Sequence, residues 1–118
     1  MNIGVGSPTI SRPDLRPFDL YRAAKLSLRE VGSVDEESAD RGLVEGRIPP
    51  FQVRAVVERG TSTMTIHGLA GGKGEWKRDS VKKEWFLVQD LKEHRTKGAK
   101  SLAEAVDLWH KAILARLK

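Results

Sequence analysis

"FQVRAVVERGTSTMTIHG", residues 51–68, decides the fold class. Phe51, Val53, Ala55 and Val57 alternate with Gln52, Arg54 and Glu58, the period of a strand with one buried face. Arg59-Gly60 offers a turn. Beyond it Met64 and Ile66 alternate with Thr61, Thr63, Thr65 and His67. Two alternating runs joined by a short glycine turn predict a β-hairpin.

Outward from the hairpin the pattern changes on both sides. "KKEWFLVQDL", residues 82–91, has the continuous apolar centre Trp85, Phe86, Leu87 and Val88, which predicts a third strand in a central position. "EWKRDSV", residues 75–81, is left open as a strand pairing with it. "SLAEAVDLWHKAILARLK", residues 101–118, opens on Ser101 and Glu104, the spacing of a capping box. Its Leu102, Ala105, Val106, Trp109, Ala112, Ile113 and Leu117 fall on one helical stripe. Upstream, "PFDLYRAAKLSLREVG", residues 17–32, has proline at a first-turn position and glycine at its end. Leu20, Tyr21, Ala24, Leu28 and Val31 give it a helical stripe as well. In "SVDEESADRGLVEGRIPP", residues 33–50, Ser33 and Glu36 form another capping-box pattern, which predicts a short helix over 34–40. Gly42, Gly46 and Pro49-Pro50 stop it, leaving a loop or short strand through "LVEGRI".

The expected fold is therefore α+β. It has an N-terminal helix, a small antiparallel sheet of three to four strands, and an amphipathic C-terminal helix packed on one sheet face. Residues 17–118 make one domain, and residues 1–16 a flexible arm. A chain of 118 residues is long enough for one core and too short for two good ones.

Composition narrows the function classes. With no cysteine there is no disulfide framework, no thiolate chemistry and no Cys-based zinc site. Neither a secretory leader nor an apolar run of bilayer-spanning length is present, so the expectation is a cytoplasmic protein without a membrane partner. The net charge of +5 is unevenly spread. Residues 1–50 carry seven Lys/Arg against eight Asp/Glu, a net of −1; residues 51–118 carry fourteen against eight, a net of +6. Such asymmetry points to a polyanionic partner, because lysine and arginine neutralise phosphates and release condensed counterions.

The glycine-rich "GLAGGKGEWKRDS", residues 68–80, is the nearest thing to a phosphate loop. A nucleotide-hydrolysing loop needs a glycine five residues before its Gly-Lys pair and a hydroxyl directly after it. Position 67 is histidine and position 74 glycine, so both are missing. The dinucleotide-binding glycine spacing is absent too. What remains is a loop suited to gripping a phosphate backbone, with Lys73, Lys77 and Arg78 supplying charge and Trp76 a stacking surface. A second basic group, Lys82, Lys83, Arg95, Lys97 and Lys100, flanks the third strand, so the two groups can share a surface. Residues 73–100 hold nine Lys/Arg against five Asp/Glu, a net of +4. In element order alone, residues 51–118 are similar to the small three-stranded DNA-binding domains of phage integrases and plant transcription factors, without a shared motif. That likeness implies a sheet face laid in the major groove.

Catalysis finds no marker. His67, His94 and His110 lie on three separate elements without metal-ligand spacing, and no serine or carboxylate is set up as a nucleophile. Of the three, His67, beside the glycine loop, is the one to test. The expectation is a small non-enzymatic nucleic-acid-binding protein, with neither cofactor nor metal, contacting DNA or RNA. The alternative is a protein-interaction module, an adaptor, inhibitor or homodimer. It would use Leu20, Tyr21 and Leu28 of the N-terminal helix with the acidic segment after it, or an exposed sheet edge.

Overall fold

The computed structural model describes residues 7–71, 75–89 and 91–118. Within them the order is β1 (Thr9–Ser11), α1 (Pro17–Val31), β2 (Ser33–Ser38), β3 (Leu43–Ile48), β4 (Phe51–Glu58), β5 (Thr63–Gly71), β6 (Glu75–Asp79), β7 (Glu84–Gln89), β8 (Lys92–Thr96) and α2 (Leu102–Arg116). The hairpin over 51–68 forms as β4 and β5, with Val57 opposite Met64 and Ala55 opposite Ile66. Around it the strands assemble as β1-β5-β4-β3-β2. Every neighbouring pair in that sheet is antiparallel. The remaining three strands form a separate sheet in the order β6-β7-β8.

The class α+β stands, but the single small sheet of three to four strands does not. Two sheets replace it, of five and three strands. The third strand of the sequence reading, β7, is central as its apolar run suggested, yet central in the other sheet. The helix over 34–40 is likewise overturned, since Ser33–Ser38 are strand β2. The physical reason is a close approach that local propensity cannot register. A Cβ on Gly32 would lie 2.0 Å from the Arg47 carbonyl oxygen, and one on Gly46 only 1.9 Å from the Ser33 oxygen. These glycines let β2 and β3 pair directly beneath the end of α1, and the ladder outweighs the capping-box preference. Glu37 then reaches Lys25 of α1 at 3.8 Å rather than beginning a helix of its own. Part of the segment expected to be an arm is also strand: Thr9–Ser11 pair with β5, and Ile10 is buried.

Both helices lie on one face of the five-stranded sheet. α1 starts at Pro17 with the Asp19 carboxylate accepting the Arg16 backbone N–H at 3.2 Å. It ends where the Gly32 N–H donates to the Leu28 carbonyl at 2.8 Å. α2 is capped by Ser101, whose hydroxyl oxygen accepts the Glu104 N–H at 3.1 Å. Between helices and sheet the core gathers Leu20, Ala24 and Leu28 with Val106, Trp109 and Ile113, over Val44, Val53, Ala55, Met64 and Ile66. At its centre the Trp109 indole N–H donates to the Ala24 carbonyl at 3.1 Å, tying α2 to α1. Because α2 packs on the five-stranded sheet, the likeness in element order to three-stranded DNA-binding domains does not extend to the packing. No helix among the described residues is long and apolar enough to cross a membrane.

Candidate nucleic-acid interface

Strand register sorts the small sheet into two faces, since residues directly opposite in an antiparallel pair share a face. Arg78 faces Trp85 and Thr96, and Trp76 faces Leu87, so these five lie on one side. Lys77, Phe86 and Arg95 lie on the other with Glu75, Asp79, Glu84 and Glu93. The first side turns toward the body. Leu87 is buried, Trp76 is half-buried, and the Trp85 ring lies where a Cβ on Gly98 would be, 1.4 Å from its Cδ1. Trp76 is therefore a wall of the interior junction rather than an open stacking platform.

The outer side is not a basic face either. The Arg95 guanidinium sits 4.7 Å from the Phe86 ring centre and is gripped by Asp79 at 3.0 Å, Glu93 at 3.0 Å and Glu84 at 3.9 Å. Lys77 meets Glu75 at 3.4 Å. Two cations stand among four carboxylates there, so the major-groove face implied by the element-order likeness is electrostatically wrong.

Asp79 organises the end of this sheet. Its carboxylate accepts the Val81 N–H at 3.0 Å and the Lys82 N–H at 3.1 Å, closing the β6–β7 turn. The Lys82 N–H first, and then Arg95, hold its pKa below the ordinary aspartate value, against a smaller opposing effect of burial. A carboxyl depressed in the folded state stabilises it at neutral pH and loses that contribution as pH falls through the folded value. We therefore expect the Val81 and Lys82 amide proton shifts to titrate with a midpoint below about 3.9, the unperturbed aspartate value. A proton NMR pH series measures it, and a midpoint at or above that value removes Asp79 as the organiser of the turn.

The cations collect at this end rather than on a face. Lys82 and Lys83 occupy the β6–β7 turn and are exposed. Arg78, the penultimate residue of β6, is exposed with its guanidinium 5.6 Å from the Trp85 ring centre. Lys97 and Lys100 are exposed on either side of Gly98, the residue that touches Trp85. None of these five forms an ion pair among the described residues, whereas Asp79 and Glu84 beside them both pair with Arg95. The sequence reading missed Trp85 as the aromatic partner of this cluster. The signal was the equal spacing of Arg78 and Trp85 about the 80–83 turn, readable once residues 75–79 are taken as a strand.

The other singled-out residues fall elsewhere. Lys73 lies outside the described residues. Leu20, Tyr21 and Leu28 are core, the first and last fully buried and Tyr21 only 5% exposed, so α1 has no such apolar stripe to offer a partner. His67 sits on the face of the large sheet away from the helices, opposite Arg54, with its Nδ1 3.3 Å from the Ser7 hydroxyl. Next along that row the buried Glu45 accepts from Arg54 Nη2 at 2.9 Å and from Gln52 at 3.4 Å. This polar row is paired within itself except at the buried Arg54 Nε, which has no acceptor among the described residues. Among the described residues no group of His, Cys, Asp or Glu is placed to hold a metal ion. Set beside protein-family models, curated proteins and solved structures, the chain matches none.

Proposed function

We propose that this protein binds nucleic acid through its phosphates, at the β6–β7 turn end of the small sheet, without catalysing a reaction. The observation that carries the reading is the placing of Arg78, Lys82, Lys83 and Lys97 at one end of the small sheet, with Lys100 three residues beyond, all exposed and none ion-paired among the described residues. A cation already bound to a carboxylate gains little from a phosphate, because one pair replaces another. An unpaired cation exchanges only water and counterions, and their release favours the complex. By that criterion Arg95 and Lys77 leave the site, and the five end residues remain.

Anisotropy titrations of labelled random-sequence DNA and RNA at low and moderate salt test it. Binding is expected to weaken steeply with salt, and salt-independent curves or none overturn the proposal. In the triple variant Lys82→Ala/Lys83→Ala/Lys97→Ala the logarithmic salt slope should fall by about 2, since each lost phosphate contact removes roughly 0.7–0.9. An unchanged slope means the phosphates are held elsewhere.

A further inference from the structure

Beside the basic end, the junction of the two sheets encloses a cleft of about 360 Å³. Gly32 and, on β2, Ser33 and Asp35 line it from one side, and Trp76, Leu87, Arg95 and Thr96 of the small sheet from the other. The Trp76 indole N–H in its wall is buried and has no hydrogen-bond acceptor among the described residues. A buried donor without a partner costs more than a made bond gains, so such groups are rare unless something else completes them. The cleft thus combines an aromatic ring, an apolar side chain, an orphaned donor and hydroxyl and carboxylate oxygens. Those are the groups that meet a heteroaromatic ring bearing its own donors and acceptors.

We infer that this cleft receives a single unstacked nucleobase, and hence that the preferred polymer is single-stranded. The inference rests on the phosphate-binding reading above and gives it a substrate class. Strand geometry links the two sites, because Trp76 and Arg78 are two residues apart on one face of β6, about 7 Å along the strand. A base against Trp76 leaves its own backbone within reach of Arg78, Lys82 and Lys83. The base supplies a ring nitrogen or carbonyl oxygen to the Trp76 N–H, and its amino group meets the Ser33 hydroxyl and shares the Asp35 carboxylate, whose Oδ2 already accepts from Arg47 Nε at 2.7 Å. A duplex keeps its bases stacked and paired, so it offers the cleft nothing and binds through phosphates alone.

The test compares short oligodeoxycytidine with an abasic oligodeoxynucleotide of equal length and charge, at one salt concentration. The base-bearing strand should bind about tenfold more tightly, the range found for one stacked base. Trp76→Phe, which keeps a ring but deletes the N–H, should shrink that ratio severalfold while leaving affinity for the abasic strand unchanged. Lys82→Ala/Lys83→Ala should weaken both strands alike. Because a Trp76 variant can also disturb the small sheet, the unaltered protein provides a second readout. Photocrosslinking of a strand carrying 5-iodocytosine, followed by peptide mass spectrometry, should map to the segment holding Trp76. Equal binding of base-bearing and abasic strands, or crosslinks confined to other segments, overturns the cleft and leaves the phosphate reading in place. Failure of every polymer to bind overturns both.

Discussion

Trp109→Ala is expected to remove about 4 kcal/mol of stability, the range for deleting a fully buried large aromatic side chain. Domains of this size are held by only about 5–15 kcal/mol in total, so the variant should sit close to unfolding at physiological temperature. Trp109 has no exposed surface and fills the space where α1, α2 and the five-stranded sheet meet. Two effects combine in the loss. The larger is the cavity, because helices pinned at both faces cannot close fully around an alanine. The smaller is the indole N–H, whose acceptor is the Ala24 carbonyl of α1. Trp109→Phe separates them, keeping most of the volume but removing the donor, and it should cost distinctly less than the alanine variant. Urea denaturation followed by far-UV circular dichroism measures both. A loss below about 1 kcal/mol for Trp109→Ala, the net worth of a hydrogen bond alone, would mean that this residue does not hold the helical layer together.

That residue was legible in the sequence, as part of the stripe running from Leu102 to Leu117, and so were α1, α2 and the β4–β5 hairpin. Each rests on a periodicity internal to one segment, and periodicity survives translation into structure whenever the segment has a face to bury. What the sequence hid depends on pairs of segments. "SVDEES" is a strand because Gly32 and Gly46 admit backbone at contact distance, and a glycine in isolation does not say whether it breaks an element or lets another approach. The division into two sheets was hidden for the same reason. Alternation in β6 and apolar content in β7 say that each is a strand, but not which neighbour it pairs with. The candidate site follows this rule. The basic group around 77–100 was visible as composition. Register then withdrew Arg95 and Lys77 into ion pairs, turned Trp76 inward, and left the end of the small sheet as the place where charge is uncompensated.

Gly98→Ala should detach the small sheet from the body while sparing the helical core, and with it lower nucleic-acid affinity. A Cβ at this position would overlap the Trp85 ring, at 1.4 Å from Cδ1 and 1.9 Å from Nε1. The ring cannot simply swing aside, because Arg78 stacks over it and Thr96 faces it across β8. Overpacking of this kind costs about 1–3 kcal/mol. Here the cost falls on a sheet joined to the rest through few packed residues, since Leu87 is its one buried hydrophobic side chain among those described. Amide exchange should accordingly quicken across β6, β7 and β8, with protection in α1 and α2 retained. Gly98 also spaces Lys97 and Lys100 about Trp85, so displacement of the ring scatters the five cations that the phosphate reading needs together. A double-mutant cycle decides the cause. In a Trp85→Ala background the ring is gone, and Gly98→Ala should then cost almost nothing, the difference being the coupling between the two residues. If Gly98→Ala costs the same in both backgrounds, the contact with Trp85 is not what fastens the two sheets. Loss of affinity in the single variant would then have to be traced to the path of Lys97 and Lys100 rather than to the docking of the sheet.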